Sequence, residues 1–210
     1  MTQSEGKGVA NQLAGFVGHR IERILSMPAP GPQKALLANL RRGVGKVPGE
    51  LPALWGVLLE DFPEAWMNNS GDPSRAEWAA YIALTSFALH QQGNDPVGHP
   101  MHCTGYTIGR AVRRLVPPGD ADAEARVMRR FEQLATASEI QSVARHLRSL
   151  IQLLRAGDIP LDYAALTRDL YQYQFTESVA FVRLRWAQDF YRIPAKNEEE
   201  SDGTNQEEEK

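Results

Sequence analysis

Cysteine, long apolar runs and an apolar N-terminus are scarce or missing in this sequence. The single cysteine, Cys103, has no partner for an internal disulfide, which favours a reducing compartment. The longest apolar run, residues 78–89, is well short of the roughly 20 residues that a membrane span requires. The polar first residues lack the apolar stretch of a signal peptide. We therefore expect a soluble, cytoplasmic protein with no membrane partner.

Signals of β-structure are also missing. Apolar and polar residues do not alternate as they do in strands, and no repeat with a period of about 20–50 residues is visible. Helical spacing occurs almost throughout the chain, between segments rich in proline and glycine. These patterns predict an all-α fold, a compact bundle of eight or nine helices, with residues 78–89 in a buried helix. One apolar face is predicted from Leu13, Phe16, Val17, Ile21 and Ile24.

N-capping residues predict where several helices begin. Ser138 and Gln141 have the spacing of a capping box, in which two side chains satisfy two backbone N–H groups. Asp162 is a favourable N-cap because its carboxylate accepts a bond from the first turn. Further helix starts are expected near Pro52, Ser74, Thr104, Asp120–Asp122 and Thr176.

The charge distribution divides the chain into a body and a tail. Residues 196–210 contain seven acidic and two basic residues, and no apolar residue follows Ala195. Such a segment cannot offset the entropy of ordering, so we predict a disordered acidic tail. It is either a solvated tail or an acidic arm that competes with nucleic acid for the body. The body, residues 1–195, is expected to comprise two packed helical lobes, 1–117 and 118–195.

Lysine is scarce, and arginine supplies most of the positive charge. The chain has 18 arginines and 5 lysines, and the body holds 21 basic against 19 acidic residues. Acidic residues are missing from windows 23–49, 96–119 and 140–157, which together contain 11 of those basic residues. Arginine presents a planar fork of donors that fits phosphate, so these windows favour nucleic-acid binding. The competing interpretation of each window is a solvated face, or one paired with acids distant in sequence.

Helical geometry separates these arginines from the predicted core. In the last window, Arg145 and Arg148 share one stripe, opposite an apolar stripe that runs from Val143 to Leu154. Asp122 lies one turn before Arg126 and is a candidate ion-pair partner for it. The predicted nucleic-acid-binding residues are Lys34, Arg41, Arg42, Arg110, Arg113, Arg114, Arg126, Arg129, Arg130, Arg145 and Arg148.

The last predicted helix has a different pattern. Arg185 and Arg192 are spaced for salt bridges to Asp189, so we interpret them as structural. The helix is apolar on two sides, with Phe181 and Leu184 away from the main apolar stripe. A helix of this kind is buried either between layers or at a subunit contact, and we favour burial between layers.

Patterns typical of catalysis and metal binding are missing. Neither a phosphate-binding loop nor a nucleophile with a matching base is recognisable. The acidic cluster of Asp120, Asp122 and Glu124 fits a helix N-terminus. A two-metal nuclease would require further carboxylates, and none accompany this cluster. Four other candidate ligands lack the paired spacing of a structural zinc site: His90, His99, His102 and Cys103. We predict no enzymatic activity, no metal and no cofactor.

Five short segments carry a family resemblance. In chain order they are residues 38–43 (ANLRRG), 107–111 (TIGRA), 129–134 (RRFEQL), 147–151 (LRSLI) and 161–163 (LDY). Each is weak alone, but their order and spacing resemble the CasB family, the small subunit of the type I-E CRISPR Cascade complex. The N-terminal helix and the acidic tail lie outside the resemblance.

The resemblance implies a helical, non-catalytic subunit that is present in two copies in Cascade. The implied partners are the other Cascade subunits, the CRISPR RNA and target DNA, especially the strand displaced when an R-loop forms. Asp162 and Tyr163 are expected to cap and pack a helix. The resemblance implies nucleic-acid-binding roles for Arg41, Arg42, Arg110, Arg129, Arg130 and Arg148.

Two alternative functions stay open at this stage. The first is a helical adaptor that binds only protein, with its arginines facing acidic partner surfaces. The second is a metal-dependent nuclease, which predicts bound zinc or manganese and DNA cleavage.

Overall fold

The computed structural model describes residues 3–28 and 30–192. Within these residues the chain forms nine α-helices and no strand, which confirms the predicted all-α fold. Two short 3₁₀ turns cover Pro52–Leu54 and Glu64–Trp66. The helices are α1 (Gln3–Leu25), α2 (Pro30–Arg42), α3 (Trp55–Leu59), α4 (Arg75–His90), α5 (Ile108–Arg113), α6 (Ala121–Thr136), α7 (Ile140–Ala156), α8 (Tyr163–Tyr173) and α9 (Val179–Tyr191).

Helix α4 lies at the centre of the core and is buried along almost its whole length. Its small residues, which include Ala79, Ala80 and Ala83, let α2, α7 and α8 pack against it. Helix α1 packs along α8 through the predicted apolar face, of which only Phe16 is half-buried. The prediction that residues 78–89 form a buried helix is therefore confirmed. None of the helices in the described residues combines the length and apolar character that a membrane span needs.

Side-chain caps begin three helices where the sequence predicts them. Ser74 and Glu77 form a capping box at the start of α4. The Asp120 carboxylate accepts a bond from the N–H of Ala123 at the start of α6, and Asp162 does the same at the start of α8. Pro52 also begins a helical turn, which leads into α3.

Three other predicted helix starts differ from the structure in position or in their cap. Helix α5 begins at Ile108 rather than Thr104, because the N–H of Gly105 donates to Asp162 Oδ2 at 2.9 Å and holds this segment as a loop. Helix α7 begins at Ile140 with no side-chain cap, so the Ser138–Gln141 capping box does not form. Helix α9 begins at Val179, because the residues around Thr176 form a turn instead.

Helices α5 and α9 approach closely at Gly109. A Cβ atom on this residue would lie 2.3 Å from the carbonyl oxygen of Trp186, so only glycine fits. The Thr107 hydroxyl donates to Asp189 Oδ2 at 2.7 Å and joins the same two segments. Because α9 is fixed in this way, it also fixes the position of the basic helix α5.

The predicted ion pairs of α9 are half right. Arg192 pairs with Asp189 at 3.8 Å, as predicted. Arg185 instead pairs with Asp169 of α8 at 2.6 Å. Asp169 is buried and also accepts a bond from Trp186 Nε1 at 2.7 Å, so it needs charged partners that the spacing within α9 does not reveal.

The prediction that α9 is buried between layers is wrong for one of its faces. Val182, Trp186 and Phe190 are buried, but Phe181 and Leu184 are 65% and 56% exposed. Tyr191 lies on the same stripe and is 65% exposed. The amphipathic pattern shows that this face is apolar, but it does not show whether another element of the chain covers it. We call Phe181, Leu184 and Tyr191 the α9 outer face.

The predicted division of the body stays a prediction. One core of buried residues extends from α1 to α9, and helices of the segments 1–117 and 118–195 contact one another within the described residues. The acidic tail, residues 196–210, lies outside the described residues.

His90, at the end of α4, is a fully buried histidine. Its Nδ1 lies 2.9 Å from the hydroxyl of Tyr163, and its Nε2 makes no hydrogen bond within the described residues. Burial lowers the pKa of His90 to about 4, because the charged ring would lose its hydration. Nearby backbone carbonyls of Ile159 and Leu154 oppose the shift without cancelling it.

Acidification from about pH 7.5 to about pH 5 is expected to lower the free energy of unfolding by about 2 kcal/mol through His90 alone. In the unfolded chain this histidine has the ordinary histidine pKa of 6.5, whereas in the folded chain its pKa is about 4. The stabilisation that the neutral His90 ring provides is therefore fully present well above pH 6.5, and it is lost as the pH falls toward 4. Denaturant unfolding of the wild type and His90→Gln at both pH values measures it. Equal losses in the two proteins would contradict the assignment.

Candidate nucleic-acid interface

Helices α6 and α7 form a hairpin whose arginines point away from the core. On α7, Val143, Leu147 and Leu150 are buried, while Arg145 and Arg148 are exposed, as the helical spacing predicts. Arg130 Nη1 of α6 donates to Ser149 Oγ of α7 at 3.3 Å. Because Ser149 is the neighbour of Arg148 in the chain, this bond brings the arginines of the two helices together. Arg126 and Arg129 are exposed on the same helix as Arg130.

The arginines of α5 adjoin this hairpin through one ion pair. Arg113 Nη1 lies 3.1 Å from Glu124 Oε2 in the first turn of α6. Arg114 stacks on Tyr106, with its guanidinium carbon 4.5 Å from the ring centroid. Arg110 Nη1 donates to the carbonyl oxygen of Gly105 at 3.3 Å. All three arginines stay exposed, so the bonds orient the side chains without covering them.

The loop that follows the basic end of α2 borders the hairpin at α7. Arg41 is half-buried and Arg42 is exposed at the last turn of this helix. The loop that follows, residues 44–47, faces Gln141 and Ala144 of α7 across a shallow groove that is floored by α4. Gln141 is one turn before Arg145, so the groove links the end of α2 with the arginine stripe of α7.

Two contacts and one groove thus connect the four basic segments: the Arg113–Glu124 pair, the Arg130–Ser149 bond and the groove beside residues 44–47. Nine arginine side chains of these segments have no carboxylate within ion-pair distance among the described residues. We call the nine side chains the arginine band: Arg41, Arg42, Arg110, Arg114, Arg126, Arg129, Arg130, Arg145 and Arg148.

Two predicted residues stand apart from the arginine band. Arg113 is exposed, but Glu124 already compensates its charge. Lys34 is exposed in the first half of α2, about 10 Å along the helix from Arg41, and no described contact links it to the other basic side chains. The suggested pair between Asp122 and Arg126 does not form; Glu124, two residues later, pairs across to α5 instead.

Arginines elsewhere in the fold are used differently. Arg20 is buried and pairs with Glu60 at 3.0 Å, and Arg23 pairs with the same carboxylate at 3.8 Å. Arg168 and Arg185 both pair with the buried Asp169. These arginines join elements of the fold, whereas those of the arginine band face solvent.

The histidines singled out as possible ligands have bonds within the fold. His99 Nε2 lies 2.7 Å from Asp158 Oδ1, and His102 Nδ1 accepts a bond from the N–H of Tyr163 at 3.1 Å. Within the described residues, no group of three or more His, Cys, Asp or Glu side chains could hold a metal ion. His90, at the end of α4, bonds to Tyr163 in the core.

One aromatic residue near the arginine band is missing from the sequence prediction. Trp55, which follows the loop after α2, is 51% exposed. Tryptophan is normally placed in the core by sequence reasoning, and its apolar neighbours in the chain give no sign of exposure. Its exposure depends on a fixed loop conformation that no local pattern reveals.

Comparisons with known proteins agree on one family. The family model of CRISPR-associated protein Cse2 matches residues 36–191. The crystal structure of CasB from Thermobifida fusca is 34% identical, with a TM-score of 0.72, and the match covers 86% of this chain and 98% of that one. No curated protein matches this chain in sequence.

Two further solved structures share the fold. A CRISPR-associated protein of the Cse2 family from Thermus thermophilus is 25% identical, with a TM-score of 0.59, and the match covers 87% of this chain and 97% of that one. A chain of a CRISPR RNA-guided surveillance complex is 23% identical, with a TM-score of 0.57, and the match covers 86% of this chain and 92% of that one.

Proposed function

Because this chain belongs to the CRISPR-associated Cse2 family, we propose that it is a non-catalytic small subunit of a CRISPR RNA-guided surveillance complex, Cascade. Its arginine band would hold a nucleic-acid backbone and so stabilise both the assembly and the R-loop during target recognition. The proposed partners are the other Cascade subunits, the CRISPR RNA, target DNA and a second copy of this chain. The displaced DNA strand is the proposed ligand of the arginine band.

The observation that carries this proposal concerns the nine arginines of the arginine band, of which Arg41 is half-buried and the other eight are exposed: within the described residues none has a carboxylate within ion-pair distance. Neighbouring guanidinium groups such as Arg145 and Arg148 repel one another, and within the described residues neither pairs with a carboxylate. A phosphate backbone relieves it, because each neutralised phosphate releases condensed counterions. Arginine also forms two parallel bonds to phosphate, which lysine cannot do.

Backbone contacts of this kind suit the energetics of R-loop formation. By analogy with single-protein effectors, the exchange of a DNA duplex for an RNA–DNA hybrid is nearly balanced, so modest contacts can tip it. The protein need not read the bases, because pairing with the guide RNA supplies sequence recognition. A sequence-independent arginine band is therefore sufficient for the role.

A non-catalytic role is also proposed from the side chains. The buried carboxylates Asp169 and Asp189 accept bonds from Trp186 and Thr107, and both pair with arginines. His90 is bonded to Tyr163 in the core. These ionisable groups hold helices together, which supports a structural role for them. No cofactor is proposed.

The α9 outer face supports assembly into a larger particle. Phe181, Leu184 and Tyr191 present three large apolar side chains to solvent on one stripe of the helix. Burial of such a stripe against another subunit removes it from water and is favourable in proportion to its area. We assign this face to contact with another subunit of the assembly.

The Arg145→Ala/Arg148→Ala double variant is expected to bind single-stranded DNA more weakly while it keeps its fold. Both side chains lie outside the buried stripe of α7, so thermal unfolding should change little. Each lost phosphate contact lowers the slope of log K against log salt by about 0.7, so the slope should fall by up to about 1.4. Fluorescence anisotropy over a range of salt concentrations measures both quantities.

Arg23→Ala/Arg192→Ala is the matched control for this experiment. It removes the same charge from two exposed arginines that already pair with Glu60 and Asp189. The control should keep the wild-type slope. An equal loss in both variants would show that net charge alone drives binding. A wild-type chain without measurable binding at any salt concentration would favour the protein-only adaptor instead.

Phe181→Ser/Leu184→Ser is expected to reduce incorporation of this chain into the assembled particle without loss of the fold. The two side chains are more than half exposed, so their replacement leaves the core intact. Co-expression with the other subunits and the guide RNA, followed by native mass measurement, gives the number of copies per particle. Val97→Ser, at an isolated side chain that is 75% exposed, serves as the control. A double variant present at the wild-type copy number would contradict the assignment.

A further inference from the structure

Trp55 is the most exposed tryptophan in the described part of the chain. Trp186 is buried, and Trp66 and Trp78 are half-buried, whereas Trp55 is 51% exposed. A tryptophan ring left in water forgoes one of the largest apolar gains that any side chain offers. The core buries Trp186 fully but leaves Trp55 exposed. A ligand or a partner would cover the exposed ring.

The indole ring of Trp55 is held in place by its own loop. Its Nε1 donates to the carbonyl oxygen of Gly49 at 3.1 Å. Gly49 has a φ of +92°, a conformation that favours glycine and turns the loop back toward the ring. Because the only polar atom of the ring is already bonded, the exposed part of the side chain is an apolar aromatic surface. Such a surface binds by stacking rather than by hydrogen bonding.

The packing of the same loop places Trp55 near the basic end of α2. A Cβ on Gly43 would lie 2.7 Å from Leu54 Cδ1, so the residue before Trp55 contacts the residue after Arg42. The Tyr81 hydroxyl fixes this junction by donating to the carbonyl oxygen of Gly43 at 3.0 Å. The packing of this loop therefore brings Arg41 and Arg42 close to the exposed ring.

The charges around Trp55 favour a polyanion. Between residues 30 and 59 the only acidic residue is Glu50, and it pairs with Lys46. The loop of residues 44–47 also borders the groove that leads to Gln141 and then to Arg145 on α7. The next carboxylates along the chain, Glu60 and Asp61, follow α3 and contact Arg20, so a strand that lies on the arginine band can pass beside this aromatic ring.

We propose that Trp55 stacks against one unpaired base of a single-stranded nucleic acid whose phosphates lie on the arginine band. The inference rests on the proposed function and adds a base contact to it. Stacking on an aromatic ring tolerates any base, since each base has a π-face, so Trp55 would distinguish single strands from duplexes without reading sequence. Val47, in the same loop, is also exposed, at 45%.

An oligothymidylate and an abasic oligonucleotide of equal length test this directly on the full-length chain. The two ligands carry the same phosphates, but only the first has bases to stack. Trp55→Ala should weaken binding of the oligothymidylate by about tenfold and leave binding of the abasic strand unchanged. Trp55→Phe keeps a ring that can stack and should restore most of the affinity. Circular dichroism of each variant checks the fold.

The variants of the arginine band keep this test separate from that of the proposed function. Arg145→Ala/Arg148→Ala should weaken binding of both ligands by similar factors, because it removes phosphate contacts only. An equal effect of Trp55→Ala on both ligands, or no effect on either, overturns the stacking site while backbone binding stands. Loss of particle assembly with unchanged DNA binding would assign Trp55 to a protein contact and also overturn it. A wild-type chain that binds neither ligand would overturn both proposals.

Discussion

The burial of one apolar stripe on each helix of the α6–α7 hairpin is the constraint on which the rest of the structure depends. Val143, Leu147 and Leu150 must face the core, and helical geometry then leaves Arg145 and Arg148 in solvent. Packing of α7 on α4 fixes this orientation, and the Arg130–Ser149 bond extends it to α6. The surface that would bind nucleic acid is thus a consequence of how the core is filled.

The charge that surrounds the arginine band differs from that around the arginines that form ion pairs. Arg20 and Arg185 are paired with carboxylates and join elements that are distant in sequence. Removal of such a partner leaves an uncompensated charge, so these pairs are structural. The arginine band has no such partners within the described residues, and its charge is available to an external polyanion. The distinction rests on where the acids lie and not on the arginines themselves.

The features predictable from sequence are those set by local geometry. The all-α fold, the buried stripe of α7 and the caps at Ser74, Asp120 and Asp162 all depend on residues within a few positions of one another. The start of α5 depends instead on a bond from Gly105 to Asp162, far along the chain. The Arg113–Glu124 pair joins two helices across a connecting loop and is equally invisible to helical spacing.

Exposure is the property that the sequence predicts least well. The α9 outer face and Trp55 both have the composition of buried segments, and only the packing of other helices shows that nothing in the described chain covers them. Both features lie where a larger assembly could use them. The chain belongs to the Cse2 family, and the proposed role in a surveillance complex would give the arginine band, the α9 outer face and Trp55 a common context.

The most direct test of the central claim is an electron-microscopic structure of the assembled particle with its target DNA bound. If the arginine band holds DNA, phosphates of a DNA strand lie within hydrogen-bonding distance of Arg130, Arg145 and Arg148. A structure in which these three guanidinium groups face carboxylates of another subunit, or only solvent, while the DNA lies elsewhere would contradict this claim.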